Sequence, residues 1–188
     1  MALTPFQRRK LATMFAALDL DKDGGIRLTD YTRRVEAMAK LNGWLSDSEP
    51  YARNYAFALA EWGNLAESAE ADGDGQVSLG EFLRWAEIFL DDREAVRADA
   101  HGDVQLLFDA MDTDRDGKVS GAEYRGYLEA CGINVSAAAA FFAYADLDED
   151  GMITRTEMSH AVEEFLLSQN PKAAGNFLFG PLVPGSGT

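Results

Sequence analysis

Four times in this chain, carboxylates stand at alternate positions and a glycine follows at once. The segments are Asp19, Asp21, Asp23 and Gly24; Glu70, Asp72, Asp74 and Gly75; Asp112, Asp114, Asp116 and Gly117; and Asp146, Asp148, Asp150 and Gly151. Three like charges within five residues repel one another, so such a segment cannot enter a core unless a cation holds it. The glycine supplies a sharp turn through positive φ. On either side, apolar residues recur with the helical period and nowhere alternate over the length of a strand. The pattern is helix, acidic turn, helix, four times over, and it predicts an all-α fold.

Caps place the helices. Thr4, Pro5 and Gln7 form a capping box with proline at the first helical position, and Leu11, Phe15 and Leu18 share one face. A second helix is predicted over 29–41, stopping at Asn42 and Gly43. A third begins near Ser46 and runs from Pro50 through the 60s; a fourth covers 79–90 with Phe82, Trp85, Ile88 and Phe89 on one side. In the second half helices are predicted over 103–111, 120–131, 136–145 and 154–168, the last stopped by Asn170 and Pro171. Residues 91–102 could form a connecting helix, but Gly102 and the short length favour a bend. Trp44, Trp62 and Trp85 are assigned to the core, His101 and His160 to helix surfaces, and Cys131 to a buried helix end without a nucleophilic role.

The third and fourth segments, residues 112–123 and 146–157, match the twelve-residue EF-hand calcium loop throughout. Calcium is a hard ion that takes about six to eight oxygens near 2.4 Å. Carboxylates at positions 1, 3 and 5 approach from one side, the position 7 carbonyl from another, and a glutamate at position 12 closes the shell from the next helix. The candidate ligands are Asp112, Asp114, Asp116, the Lys118 carbonyl and Glu123, and Asp146, Asp148, Asp150, the Met152 carbonyl and Glu157, with Ser120 and Thr154 acting through water. Residues 19–30 offer Asp19, Asp21, Asp23, the Gly25 carbonyl and Asp30. The shorter Asp30 at position 12 favours one oxygen over two, weakening calcium and letting magnesium compete; Arg27 at position 9 adds an unfavourable charge. Residues 70–81 begin with Glu70, whose extra methylene misplaces the carboxylate, so this loop is expected to serve mainly as a partner for the first. Position 8 is Ile26, Val77, Val119 and Ile153, β-branched residues suited to a short antiparallel contact between paired loops.

Composition narrows the partners. A net charge of −15 attracts cations and repels nucleic acid phosphates and anionic lipid. With one cysteine no intramolecular disulfide can form, and no apolar run is long enough to span a membrane. Arg8, Arg9 and Lys10 ahead of 11–18 imitate a short signal peptide, but that stretch runs directly into the first acidic loop.

On these loops the chain resembles the four-EF-hand superfamily, and more closely the calerythrin-type bacterial proteins and the sarcoplasmic calcium-binding proteins. The resemblance rests on loop starts at 19, 70, 112 and 146 with a wide first gap, on a degraded second loop, on Asp30, and on the tail Asn170, Pro171, Gly175, Asn176, Phe177, Leu178, Phe179 and Gly180. It implies two pairs of EF-hands packed into one compact globule, with an N-terminal pair over 1–95, a C-terminal pair over 96–170 and an apolar tail over 171–188. The function expected is that of a cytoplasmic, monomeric calcium buffer with about three ions and no enzymatic activity. A calmodulin-like sensor and a calcium-activated photoprotein-like oxygenase are the alternatives. The six methionines do not cluster in the sequence as an adaptable sensor groove would require, and two histidines give little polar lining for a luciferin. Phe177, Leu178 and Phe179 are expected to pack back onto the helices rather than remain in water.

Overall fold

The hydroxyl of Thr4 accepts a hydrogen bond from the Gln7 N–H (3.2 Å), while the Gln7 side chain accepts from the Thr4 N–H (2.9 Å), closing the predicted capping box. The computed structural model describes residues 2–183 except Ala71, with the backbone alone at 95, 99–103 and 174. The elements in order are α1 (Pro5–Leu18), β1 (Gly25–Ile26), α2 (Leu28–Asn42), α3 (Glu49–Ala69), β2 (Val77–Ser78), α4 (Leu79–Phe89), α5 (Arg93–Met111), β3 (Val119–Ser120), α6 (Gly121–Ala130), α7 (Ala138–Ala145), β4 (Met152–Ile153) and α8 (Arg155–Leu167). Short 3₁₀ turns at Val135–Ala137 and Ala174–Phe177 complete them. The fold is all-α apart from two minimal sheets.

Those sheets join the loops in pairs. β1 runs antiparallel to β2 with Ile26 opposite Val77, and β3 antiparallel to β4 with Val119 opposite Ile153. All four position 8 side chains are fully buried. Each pair of acidic turns is thus tied at its base by two β-branched residues beneath the charged rim.

Three expectations are corrected. α5 is continuous from Arg93 through Gly102 to Met111, so the chain bends at Asp91 and Asp92, before the helix begins. α3 starts at Glu49 and not near Ser46, because residues 45–48 form their own turn: the Ser48 N–H and hydroxyl both donate to the Leu45 carbonyl, at 3.0 and 2.7 Å. Ile88 is 77% exposed while Phe82 is buried, because the apolar face of α4 runs through 82, 85, 86 and 89 at helical spacing, and 88 falls off it.

Two apolar cores follow the two loop pairs. In the first, Leu11, Phe15, Leu65 and Phe82 surround Ile26 and Val77, with Trp62 and Trp85 partly buried at its edge. In the second, Phe108, Tyr124, Phe141 and Phe165 surround Val119 and Ile153, with Trp44 partly buried against it. Met38, Met111 and Met158, distant in sequence, are all buried in this core, because α2 of the first half packs on α5 and α6 of the second. His160 is exposed, and His101 lies outside the residues whose side chains are described.

The tail folds back. Leu178 is buried, its carbonyl accepts from the Tyr124 hydroxyl at 2.6 Å, and Phe179 meets Phe165 edge-on at 5.0 Å between ring centroids. Phe177 stacks on Tyr144 at 5.9 Å. A Cβ at Gly175 would lie 2.1 Å from the Ala161 carbonyl and 2.4 Å from the Phe165 nitrogen, so only glycine lets the tail lie this close to the α8 backbone. The tail then reaches α1: Val183 N–H donates to the Thr13 hydroxyl (3.0 Å), and the Val183 carbonyl accepts from Arg9 Nε (3.2 Å). Residues 184–188, including Pro184, Gly185 and Gly187, lie outside the described residues.

Candidate metal centres

Each acidic turn begins at a helix C-terminus and ends in the first turn of the next helix. At position 1 the aspartate carboxylate folds over the loop. Asp19 accepts from the N–H groups of Asp23 (3.1 Å) and Gly24 (2.9 Å), Asp112 from Asp116 and Gly117 (both 3.0 Å), and Asp146 from Asp150 (3.0 Å) and Gly151 (2.7 Å). The second loop departs here as its longer side chain predicts: Glu70 accepts from the Gly73 N–H instead.

Position 12 ties the loop shut. Glu123 accepts from Thr113 N–H and Ser120 N–H, both at 2.8 Å, and Glu157 accepts from Leu147 N–H and Thr154 N–H, both at 2.8 Å. Partial burial raises the pKa of both carboxyls, but these hydrogen bonds outweigh it and hold both below the usual glutamate value. Asp30 makes the same closure in spite of its length, one oxygen accepting from Leu20 N–H (3.0 Å) and the other from Arg27 N–H (2.8 Å), and it is 1% exposed. Ser120 and Thr154, expected to act through water, cap α6 and α8 by accepting from the N–H of Glu123 and Glu157.

Positions 1, 3 and 12 converge. Asp19, Asp21 and Asp30, then Asp112, Asp114 and Glu123, then Asp146, Asp148 and Glu157 each offer oxygens within 4.8 Å of one another. Glu70, Asp72 and Asp74 also converge, without Glu81. In the first, third and fourth loops position 5 does not join these groups, whereas in the second Asp74 does. Asp23 pairs with Arg27, Asp116 accepts from Lys118 N–H (2.8 Å), and Asp150 pairs with Lys118 across the loop pair. The bonds from Arg27 and Lys118 draw the pKa values of Asp23 and Asp150 below the ordinary carboxylate value. Gly25, Lys118 and Met152, the expected carbonyl donors, sit where each loop enters its strand. An all-oxygen, mostly anionic donor set of this kind suits a hard divalent cation.

Two features escaped the sequence reading. Position 4 takes positive φ in every loop: Lys22 (59°), Gly73 (78°), Arg115 (62°) and Glu149 (60°). No residue type marks that position except Gly73, so composition offered no signal. The second is local charge compensation in the first loop, where Arg27 pairs with Asp23 and Arg33 with Asp21 at 2.6 Å. The i, i+4 spacing of Asp23 and Arg27 was a signal for the first pair.

The family model for the EF-hand domain pair matches residues 101–131, and the EF-hand model matches 138–162. Sarcoplasmic calcium-binding proteins I, III and IV of Branchiostoma lanceolatum are 28% identical over 95% of this chain and 98% of their own. The chain is a sarcoplasmic-calcium-binding-protein-like EF-hand protein. Calcium is the ion its loops are built for. The structure of a Streptomyces coelicolor calcium-binding protein, described in the context of prokaryotic calcium-mediated regulation, aligns with a TM-score of 0.72 at 28% identity, over 85% of this chain and 97% of that one. A luciferin-binding protein of Renilla reniformis is 25% identical over 95% of both chains. No helix among the described residues is long and apolar enough to cross a membrane.

Proposed function

We propose that this EF-hand protein is a monomeric cytoplasmic calcium buffer, without catalytic activity, that takes up about three ions in loops 19–30, 112–123 and 146–157. Asp19, Asp21, Asp23 and Asp30 would hold the first ion with the Gly25 carbonyl. Asp112, Asp114, Asp116 and Glu123 would hold the second with Lys118, and Asp146, Asp148, Asp150 and Glu157 the third with Met152. The lone thiol, Cys131, is buried with its pKa raised by that burial, which fits a reducing compartment where it needs no partner. On this reading 1–95 and 96–170 are two EF-hand pairs, and 70–81 is chiefly the structural partner of 19–30.

The observation that carries the buffer reading is the docked tail. A sensor must open apolar surface to a target when calcium binds. Here Leu178, with Phe177 and Phe179 beside it, already occupies the apolar space among α6, α7 and α8. The methionines that could make an adaptable groove are buried in the same core. The regulatory context of the Streptomyces relative favours the sensor, and one experiment separates the two. Calcium is titrated by calorimetry, with and without magnesium, while an apolar dye reports exposed surface. The buffer gives about three sites, magnesium weakening the first loop most, and little dye signal. Two sites or fewer would remove loop 19–30 from the set, four would restore Glu70 as a ligand, and strong calcium-dependent dye binding would make the protein a sensor.

A further inference from the structure

Protein interiors are close-packed, and voids much larger than a water molecule are few. Between the two cores, however, the side chains leave a partly open cavity of about 510 Å³ unfilled. That volume falls within the range of about 300–1,000 Å³ in which proteins enclose small molecules. Its wall is mainly apolar and comes from both halves and from the tail, with Met14, Phe82, Trp85, Leu107, Phe165 and Leu178 among the contributors. One strongly charged cation lines it. Arg34, on α2, donates one guanidinium N–H to the Ala17 carbonyl at 2.8 Å. Its Nε–H is shielded from solvent and donates to nothing, and Arg34 belongs to none of the ion pairs among the described residues. A guanidinium with an unsatisfied buried donor is costly unless an anion meets it, and a carboxylate matches its planar fork. The buried Lys10 is already engaged: its Nζ donates to the Glu164 (3.1 Å) and Ser168 (2.6 Å) carbonyls.

We propose that the cavity between the two EF-hand pairs binds an amphipathic monocarboxylate, its apolar chain against the aromatic and aliphatic wall and its carboxylate on Arg34. Glu61 and Glu67 of α3 also border the cavity. Their charge disfavours an anionic head on that side, so the head is placed by Arg34 and the chain lies across the apolar wall. Asp30, which closes the first loop, stands one turn before Arg34 on α2 and its charge reaches the guanidinium, so calcium is kept saturating in the test.

The test uses the full chain with calcium present and cis-parinaric acid, a fluorescent long-chain carboxylate, against its methyl ester. The expected result is saturable binding of one acid per chain and at least about tenfold weaker binding of the ester, since a charge-assisted hydrogen bond separates the two. Arg34→Met should abolish that preference. Should Arg34→Met misfold, the acid–ester comparison on the unaltered chain still decides. Equal affinities, tighter ester binding, a preference retained in Arg34→Met, or no saturable binding would each overturn the proposal. Calcium stoichiometry measured on the same samples judges the buffer reading separately.

Discussion

Position 12 carries two duties at once in the strong loops: it closes the ligand set, and it caps a helix by holding the N–H groups of Ser120 or Thr154. Glu123→Gln and Glu157→Gln keep the shape but remove the charge, and they turn an amide N–H₂ toward a backbone donor. Each is expected to weaken calcium at its own loop by at least about an order of magnitude, because ligand charge and the bidentate grip set affinity there. Calorimetry should show one site lost per variant, and an unchanged isotherm would remove position 12 from the ligands. The first loop differs in carrying its own counter-charges. Arg27 and Arg33, 40% and 50% exposed at the side chain, must give up Asp23 and Asp21 before an ion can use them fully. Exposed pairs are weak and screened by salt, so Arg27→Ala with Arg33→Ala should tighten calcium at loop 19–30 by about a few-fold, an effect that shrinks as salt is raised. No tightening at low salt would mean that neither arginine competes with the ion.

At the scale of elements, the tail links fold to function. Truncation after Asn170 removes Leu178 from the core, and with it the acceptor for the Tyr124 hydroxyl. Burying a side chain like Leu178 is worth roughly 1.5–3 kcal/mol, so the truncated protein should melt several degrees lower and bind apolar dye when calcium is added. Gly175→Val tests the same contact without shortening the chain, because its side chain cannot fit against the Ala161 carbonyl. If both variants melt with the parent and stay dark to the dye, the tail does not act as a plug. Much of this level was legible beforehand. The β-branched position 8 residues specified the two loop pairings, and the capping residues placed most helix ends within a residue or two. The continuity of α5 through Gly102 was not legible, since a glycine inside a helix costs only about 1 kcal/mol and tertiary packing overrides it. Nor was the burial of Met38 in one core with Met111 and Met158, which depends on α2 crossing into the second half, a packing no local pattern encodes. In the sites, the carboxylates at positions 1, 3 and 12 could be read from spacing. The pairing of Asp150 with Lys118 could not, because it depends on a cation brought alongside by the folded loop pair.

The whole molecule has a net charge of −15, yet one of its 17 basic residues is buried where the two halves join. Lys10 of α1 is 1% exposed, and its Nζ donates to the last carbonyls of α8 at Glu164 and Ser168, the end of a helix dipole that favours a positive charge. Phe6 and Phe165 stand 5.5 and 5.3 Å from the ammonium. Burial nevertheless dominates: it lowers the Lys10 pKa from the ordinary 10.5 to about 8, against the opposing charge of Glu164. Between those values the unfolded chain binds more protons than the folded one, so this lysine makes stability rise with pH, beginning near pH 8. Buried groups oppose it higher up. Cys131 has its pKa raised above the ordinary 9.0 by burial, and Tyr124 and Tyr127 theirs above 10.0, so the folded chain keeps their protons longer and loses stability as pH climbs past those values. The clear window is therefore pH 8 to 9. Urea unfolding at saturating calcium should show stability increasing across it, and Lys10→Met, which keeps the apolar stem, should flatten the increase while leaving the decline at higher pH in place. A rise that survives the substitution would assign the pH dependence to another group and leave Lys10 a fixed charge at the joint between the halves.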